Sequence, residues 1–316
     1  MPNASSNRTD IKMVQETVLG TTPATPAFDS IRYTGESLNY NISNVTSKEI
    51  RSDRMTADSV ATGGDATGGL NIEFSAISFD KLIEAAMASS WVLDSPVLGE
   101  DTLKNGLTLK SFTTQKVFND TDVVTFQNFP GTCVNTMNLN IEQKSIVTGS
   151  FDLKALDSSM TVTQFVGATT NAAATTSVMN TVSGITSIIE NGVASTNKFK
   201  SMTLAISNNI RAQDAIGTFG HIGLVLGKID ITGNISIYFK SKVLYDRYHN
   251  SESFSIGFTM ADEDGNSYDV LIPKAKFESG KIVASGTDTD VMFEGTWRAL
   301  YDVTENTMIK ITRTLV

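Results

Sequence analysis

The sequence predicts a mainly β protein in which one domain occurs twice, each copy carrying one flanking α-helix. Three observations indicate this fold. Apolar and polar residues alternate over many short runs, only two segments have helical spacing, and one pattern of apolar residues occurs in both halves of the chain. At 316 residues, the chain is long enough for two domains with sizeable cores.

Alternation predicts the strands. In the run from Gly69 to Phe74, the side chains of Leu70, Ile72 and Phe74 share one face and polar side chains occupy the other. A strand with one apolar face belongs to an antiparallel sheet that is solvated on its other side. The same pattern predicts strands at 137–141, 151–153, 202–206, 235–239 and 254–258, and a hairpin turn at Asp264-Gly265.

Two segments are predicted to be helices. The first begins near Ser78, and its apolar residues recur at intervals of three and four, which places them on one face. A shorter helix is predicted from Ser241 to Tyr248. The apolar face of the first helix consists of Phe79, Leu82, Ile83, Ala86 and Met87.

An internal repeat organises the chain. The series Gly68, Leu70, Ile72, Phe74 recurs as Gly233, Ile235, Ile237, Phe239, and the series Leu38, Ile42 recurs as Met202, Ile206. Residues 153–156 likewise correspond to 297–300. The repeat predicts an N-terminal arm at 1–30, a first domain at 31–157, a connector at 158–197 and a second domain at 198–316.

The arm and the connector differ in composition from the domains. The arm is polar and contains Thr22-Pro23-Ala24-Thr25-Pro26, so it is expected to be extended or disordered until it meets a partner. The connector contains an uncharged Ala/Thr run at 167–176, which has too little bulk for a core of its own. We expect it to cross the surface of the protein.

Charge and residue counts exclude several classes of protein. With 34 acidic and 25 basic residues the net charge is −9, which disfavours a protein that grips nucleic acid but suits a surface past which nucleic acid slides. One cysteine excludes a disulfide framework, and two histidines leave little for imidazole catalysis or a zinc site. The N-terminus lacks the apolar core of a signal peptide, so we expect synthesis in a cytosol and no membrane anchor.

No motif proposes an enzyme, a cofactor or a metal. The Gly63–Gly69 stretch lacks the Gly-Lys-Ser/Thr of a phosphate loop and is interpreted as a flexible loop tip. The acidic Asp262–Asn266 segment has its glycine too early for a calcium loop, and a hairpin turn is the better interpretation. Cys133 is expected to be a buried thiol and His221 to be structural.

The segment Lys48–Met55 is the densest mixed-charge region of the chain. Its place before a Gly-rich stretch and a returning strand suits a protruding β-hairpin. Charges of both signs fit register-setting contacts with a partner better than they fit a grip on nucleic acid. The residues predicted to make such contacts are Lys48, Glu49, Arg51, Asp53, Arg54, Asp58, Gly63 and Gly64.

Taken in order, these segments resemble the tail tube (major tail) proteins of long-tailed bacteriophages. Each motif alone is unspecific, but their order and spacing cover the whole chain. The segments that carry the resemblance are 14–23 (VQETVLGTTP), 47–54 (SKEIRSDR) followed by 68–74 (GGLNIEF), 126–135 (FQNFPGTCVN), 146–151 (IVTGSF), 271–274 (LIPK) and 299–302 (ALYD).

The resemblance implies a structural subunit of the virion tail. Members pack a β-sandwich-like domain with a flanking helix into rings, and the rings stack into a tube. Inner strands from all domains join an intersubunit β-barrel around a channel, and DNA passes through it into the host without specific binding. By that analogy, the strands of the barrel would carry Leu70, Ile72, Phe74, Ile235, Ile237 and Phe239.

The resemblance also implies stoichiometry and partners. Members with one domain form rings of six, so a chain with two tube domains would form a pseudo-sixfold ring of three, while a hexamer of the whole chain stays open. Tail-tip, tape-measure and tail-terminator proteins are the implied partners, and assembly would occur in the bacterial host cytoplasm. The mixed-charge loop and the N-terminal arm are expected to become ordered on stacking.

A different class remains as an alternative, namely a non-catalytic β-sandwich adhesin or carbohydrate-binding module. The absence of a signal peptide counts against it. So does the scarcity of tryptophan for stacking on sugars, since only Trp91 and Trp297 occur. A phage-associated hydrolase or baseplate component would need catalytic residues or extra modules that the sequence does not show.

Overall fold

The computed structural model describes residues 4–316 and confirms a mainly β chain with helices at the two predicted places. It contains a 3₁₀ turn at Ser6–Arg8 and the helices α1 (Asp80–Ala86) and α2 (Val243–His249). Neither helix is long enough to cross a membrane. The strands are β1 Thr9–Gln15, β2 Ala27–Ser30, β3 Gly35–Glu36, β4 Asn39–Thr46, β5 Ser59–Glu73, β6 Glu100–Lys104, β7 Ser111–Phe118, β8 Thr125–Glu142, β9 Thr148–Ala155, β10 Ser159–Thr161, β11 Thr169–Asn171, β12 Ile185–Glu190, β13 Val193–Ala194, β14 Phe199–Ser207, β15 Arg211–Gln213, β16 Gly223–Val225, β17 Asp230–Tyr238, β18 Phe254–Ala261, β19 Ser267–Val283, β20 Met292–Ala299 and β21 Lys310–Thr314.

Eight of these strands form one continuous antiparallel sheet, here called the eight-stranded sheet. Its order is β4, β5, β9, β8, β14, β17, β20, β19. The first four strands come from the first half of the chain and the last four from the second. The halves join where Thr136–Glu142 of β8 pairs with Ser201–Ser207 of β14. One face of the sheet is buried in the core, against which α1 and α2 pack beside β8 and β19.

The long strands β8 and β19 each belong to two sheets. Their C-terminal halves lie in the eight-stranded sheet, and their N-terminal halves pair with β7 and β18. A β-bulge divides each strand, at Asn135 in β8 and at Glu278 in β19. Such a bulge bends a strand and increases its twist, which lets one strand leave one sheet and enter another.

Two outer sheets complete the core. The first runs β2, β1, β7, β8, and the second runs β13, β12, β18, β19, β21, β6. Strand β10 pairs with β8 as β21 pairs with β19. The same order of pairings therefore occurs in both halves of the chain. Strand β6 lies in the first half but pairs with β21, which ties the halves together a second time.

The N-terminal arm differs from its prediction. It is extended, as expected, but it is ordered within the subunit, because Thr9–Gln15 pairs with β7 along its whole length. Ile11 and Met13 are buried in the main core. This burial gives residues 9–15 a fixed place without any neighbouring ring. Residues 1–3 of the predicted arm lie outside the described residues.

The predicted connector contains a strand of the second outer sheet. Its first part carries only the short strands β10 and β11, of which β11 runs parallel to β2. Its last part contains β12, which pairs with β18 from Ile185 to Glu190. Strand β12 therefore has the same place in the second outer sheet as β1 has in the first, since β12 pairs antiparallel with β18 and β1 pairs antiparallel with β7.

The prediction of a loop tip at Gly63–Gly69 is wrong. This stretch lies inside strand β5. Its glycines are needed where another chain segment comes close. A Cβ at Gly64 would lie 1.9 Å from the Tyr40 hydroxyl oxygen, and one at Gly68 would lie 2.3 Å from the Ser37 carbonyl oxygen. Larger side chains have no room at these two positions, which explains why this part of the strand is rich in glycine.

A buried carboxylate fixes the end of the arm. Glu16 is 6% exposed, and its two carboxylate oxygens accept four hydrogen bonds. The donors are the backbone amides of Gly20 and Gly131 and the hydroxyls of Ser111 and Thr113, at 2.7–2.9 Å. One side chain thus joins the arm, β7 and β8.

We expect Glu16→Ala to lower the free energy of unfolding by about 3 kcal/mol, because it leaves buried donors without an acceptor. Chemical denaturation measures the change. Glu49→Ala, at an exposed position, is the control and should leave stability nearly unchanged. Equal stability of the two variants would contradict the role assigned to Glu16.

Candidate functional site

The solvent-facing side of the eight-stranded sheet is polar across both halves of the chain. Its side chains alternate with those of the core and are joined by cross-strand hydrogen bonds. Asn234 is central: its amide donates to Thr203 Oγ1 at 3.3 Å and its carbonyl accepts from Thr296 Oγ1 at 3.0 Å. This polar face consists mainly of Asn71, Glu73, Asn138, Asn140, Glu142, Ser150, Asp152, Lys154, Ser201, Thr203, Thr232, Asn234, Ser236, Glu294, Thr296 and Arg298.

Carboxylates neutralise two of the cations on this polar face. Arg298 forms ion pairs with Glu278 and Asp230, and these contacts raise its pKa. Lys281 pairs with Glu294 at 2.9 Å.

Other carboxylates of the polar face have no cation within ion-pair distance among residues 4–316, namely Glu73, Glu142 and Asp152. Partial burial raises the pKa of Asp152, and a hydrogen bond from Asn138 opposes that rise. At neutral pH the polar face therefore presents hydroxyls, amides and an excess of negative charge.

The residues predicted to form barrel strands lie on the opposite, buried face. Leu70 and Ile72 are in β5, and Ile235 and Ile237 are in β17, each at most 4% exposed. Phe74 and Phe239 lie one residue beyond these strands. The sequence predicts these strands and a solvated polar side, but the candidate residues it singled out are the apolar ones, and the polar residues between them were not named as a site.

The mixed-charge segment forms the exposed tip of the β4–β5 hairpin, at residues 47–58. The backbone amide of Ser47 donates to the carbonyl of Asp58 at the base of this tip. Arg51 pairs with Asp53 at 2.6 Å, and its hydrogen bond lowers the pKa of that carboxyl. The predicted contact residues Lys48, Glu49, Arg51, Asp53, Arg54 and Asp58 are all exposed here.

Apolar side chains are exposed on the same hairpin. Ile50 is 99% exposed and Met55 is 68% exposed. Along the strands of the hairpin, Ile42, Val45 and Val60 are each more than half exposed. Val45 and Val60 lie directly opposite each other in the hairpin, and adjoining exposed apolar groups of this kind mark an interaction surface.

A segment of the second half of the chain contacts this hairpin. The backbone amide of Gly64 donates to the carbonyl of Phe219 at 3.0 Å, so the structure places Gly64 at an intrachain contact. Gly63 is beside it. His221 lies between two carboxylates, with Nδ1 2.6 Å from Asp214 and Nε2 3.1 Å from Asp65. These two contacts are consistent with the structural role predicted for His221.

Burial lowers the pKa of His221, but hydrogen bonds to Asp214 and Asp65 outweigh burial and raise the pKa overall. The imidazolium therefore stabilises the hairpin in full below its ordinary pKa of about 6.5. This contribution is lost as the pH rises through the raised pKa of the folded state.

We expect amide hydrogens of residues 59–66 to lose protection as the pH rises above about 6.5 and through the raised pKa of His221, after correction for intrinsic exchange. Hydrogen exchange with mass spectrometry measures this loss. His221→Gln is the control, since it removes the titrating group. An identical pH dependence in that variant would refute the assignment.

Metal-binding groups do not converge in the described part of the chain, where three or more His, Cys, Asp or Glu side chains are nowhere placed to share an ion. The acidic Asp262–Asn266 segment is a turn between β18 and β19. Asp262 closes it by accepting hydrogen bonds from the backbone amides of Asp264 and Asn266.

Comparison with known proteins agrees with this geometry. A family model described as phage tail tube protein matches residues 6–299, nearly the whole chain. No curated protein matches the sequence. The chain therefore belongs to the phage tail tube protein family and is a structural component of a bacteriophage tail.

Proposed function

We propose that this subunit closes into rings that stack into a tube, and that the polar face of the eight-stranded sheet lines the channel through which DNA enters the host. The observation that carries the proposal is the continuity of that polar face across both halves of the chain. Strand β4 and residues 279–283 of β19 form the two ends of the sheet, and neither has a further strand partner within residues 4–316.

The chemistry of the polar face suits passage without binding. A protein that holds DNA must present cations that release counterions from the phosphates. Here Arg298 and Lys281 are paired with carboxylates, and Lys154 Nζ donates to the carbonyl of Ile210 at 2.9 Å. Glu73, Glu142 and Asp152 repel phosphate. The hydroxyl and amide groups keep the wall wetted, so DNA can move along it.

The order of strand pairings supports a duplicated domain and hence three chains per ring. Each half supplies four strands to the eight-stranded sheet, one helix and one outer sheet. Because β1 pairs with β7 as β12 pairs with β18, we infer that the first unit begins at β1 and the second at β12, both earlier than residues 31 and 198. Three such chains give the six domains that a ring of six single-domain members has.

The β4–β5 hairpin is proposed to contact the next ring. Its tip combines charges of both signs with the exposed Ile50 and Met55, which suits a specific contact between copies. Identical rings that meet head to tail form an open filament. Tail-tip, tape-measure and tail-terminator proteins would meet the tube at its ends and inside it, during assembly in the host cytoplasm.

Neither tryptophan favours a carbohydrate-binding role. Trp297 is completely buried. Trp91 is covered by Arg313, whose guanidinium lies 4.4 Å from the centre of the indole ring. Neither indole therefore presents an open face on which a sugar could stack.

Negative-stain electron microscopy of the concentrated protein tests the proposed function. We expect hollow tubes whose end-on views contain three chains per ring, with six similar lobes. The proposal would be contradicted by discrete particles without a channel, observed at high concentration with a tail-tip initiator added.

We expect removal of the hairpin tip, by replacing residues 48–57 with a two-residue Asn-Gly turn, to give rings that do not stack. The replaced residues lie outside β4 and β5, so the subunit should remain folded. Sedimentation velocity separates rings from tubes. A Glu263→Ala variant, at an exposed position outside the tip, serves as the control. Tubes of normal length from the shortened chain would exclude the tip from the ring-to-ring contact.

A further inference from the structure

The junction inside the chain is a template for the junction between chains. Strands β8 and β14 pair over Thr136–Glu142 and Ser201–Ser207, with Leu139 opposite Leu204. Backbone hydrogen bonds Asn208 N–H to Asn135 and Gln143 N–H to Lys200 continue this register at both ends, at 2.8 and 3.0 Å. Leu139 and Leu204 are therefore a hydrogen-bonded pair, and their neighbours on each strand are not.

The end strand β19 is equivalent to β8. In both strands a bulge follows a buried residue, Val134 or Phe277, which lies opposite Leu153 of β9 or Trp297 of β20. Residue by residue, Thr136 then corresponds to Ser279 and the following positions correspond in order. Leu139 corresponds to Ile282, which is 43% exposed at the free edge, whereas Leu139 is 2% exposed at the internal junction.

At the other end of the sheet, β3 and β4 are equivalent to β14. Two glycines fix the correspondence: a Cβ at Gly68 would lie 2.3 Å from the Ser37 carbonyl oxygen, and one at Gly233 would lie 2.2 Å from that of Thr203. Ser37 therefore corresponds to Thr203. Leu38 corresponds to Leu204 and not to Met202, the residue with which the sequence repeat aligned it.

We propose that residues 37–41 of one chain pair antiparallel with residues 279–283 of a second copy, in the register of the internal junction. This register places Leu38 opposite Ile282, Asn39 opposite Lys281 and Tyr40 opposite Gly280. The inference rests on the proposed ring, and it adds which residues meet. Pairing covers the exposed Ile282 as Leu139 is covered, and it keeps Asn39 and Lys281 on the polar face.

Side chains partly close this edge in the single chain. The backbone amide of Leu38 donates to Glu36 Oε2 at 3.1 Å, and its carbonyl accepts from Lys116 Nζ. Lys116 is 6% exposed and pairs with Glu36 at 2.5 Å. Charged groups at an edge discourage pairing with arbitrary strands. A partner strand must accept the hydrogen bond that the Leu38 amide donates to Glu36 in the single chain. Only pairing in the correct register also covers Ile282 of that partner strand.

Disulfide trapping tests the register in assembled tubes. The chain with Asn39→Cys and Lys281→Cys should form crosslinks between subunits, because Cα atoms of a non-hydrogen-bonded pair are about 4.5 Å apart, within disulfide range. Under mild oxidation we expect loss of the monomer band on a non-reducing gel. Native Cys133 is fully buried, and burial raises its pKa to about 12, so it should not compete.

The matched control is Asn39→Cys with Ile282→Cys, a slip of one residue that puts the thiols on opposite faces. Ser37→Cys with Val283→Cys is a second in-register pair, in case the first disturbs folding. Crosslinks in the in-register pairs alone support the proposal. Crosslinks in the slipped pair overturn it, and so does the absence of crosslinks from both in-register pairs. Unmodified protein viewed in parallel separates the two ideas, since rings without in-register crosslinks refute the register and leave the proposed function standing.

Discussion

Two bent strands hold the fold together, because β8 and β19 each supply backbone hydrogen bonds to two sheets. Within residues 4–316, the eight-stranded sheet shares strand pairing with the outer sheets only through β8 and β19. The bulge at Asn135 is anchored on the second half of the chain: its side-chain carbonyl accepts from the amide of Ile210 at 2.8 Å, and its backbone carbonyl accepts from that of Asn208. The bend in β8 and the junction with β14 are thus built from the same residues.

Much of the fold could be predicted from local pattern. Alternation identified most strands of the eight-stranded sheet, and helical spacing identified α1 and α2. Strands β1 and β12 could not be found in this way, since their partners lie far away in sequence and the segments around them are polar. The offset of the repeat was wrong by two residues near Leu38, because side-chain spacing matched Met202 while backbone pairing selects Leu204.

The candidate site was predictable only in part. Charge density predicted a protruding hairpin, and Lys48–Asp58 is indeed its exposed tip, while the contact role of these residues stays a prediction. Apolar alternation predicted most strands of the eight-stranded sheet but drew attention to their buried face. The carboxylates of the polar face have no spacing that distinguishes them. The contacts of His221 depend on Asp65, which is distant in sequence and comes close only when the two halves of the sheet are joined. Folding, not sequence spacing, creates that arrangement.

The internal junction and the proposed junction between chains form under different conditions. Strands β8 and β14 meet within one molecule, so the connector between them sets their effective concentration and the junction forms as the chain folds. In the proposed ring, the equivalent junction lies between molecules, so its formation depends on subunit concentration. Substitutions at Leu204 then act on folding, whereas substitutions at Ile282, which is 43% exposed in the single chain, act mainly on polymerisation. In the proposed ring, two contacts of the same register therefore differ in kind, since one is permanent once the chain has folded and the other can be timed by subunit concentration.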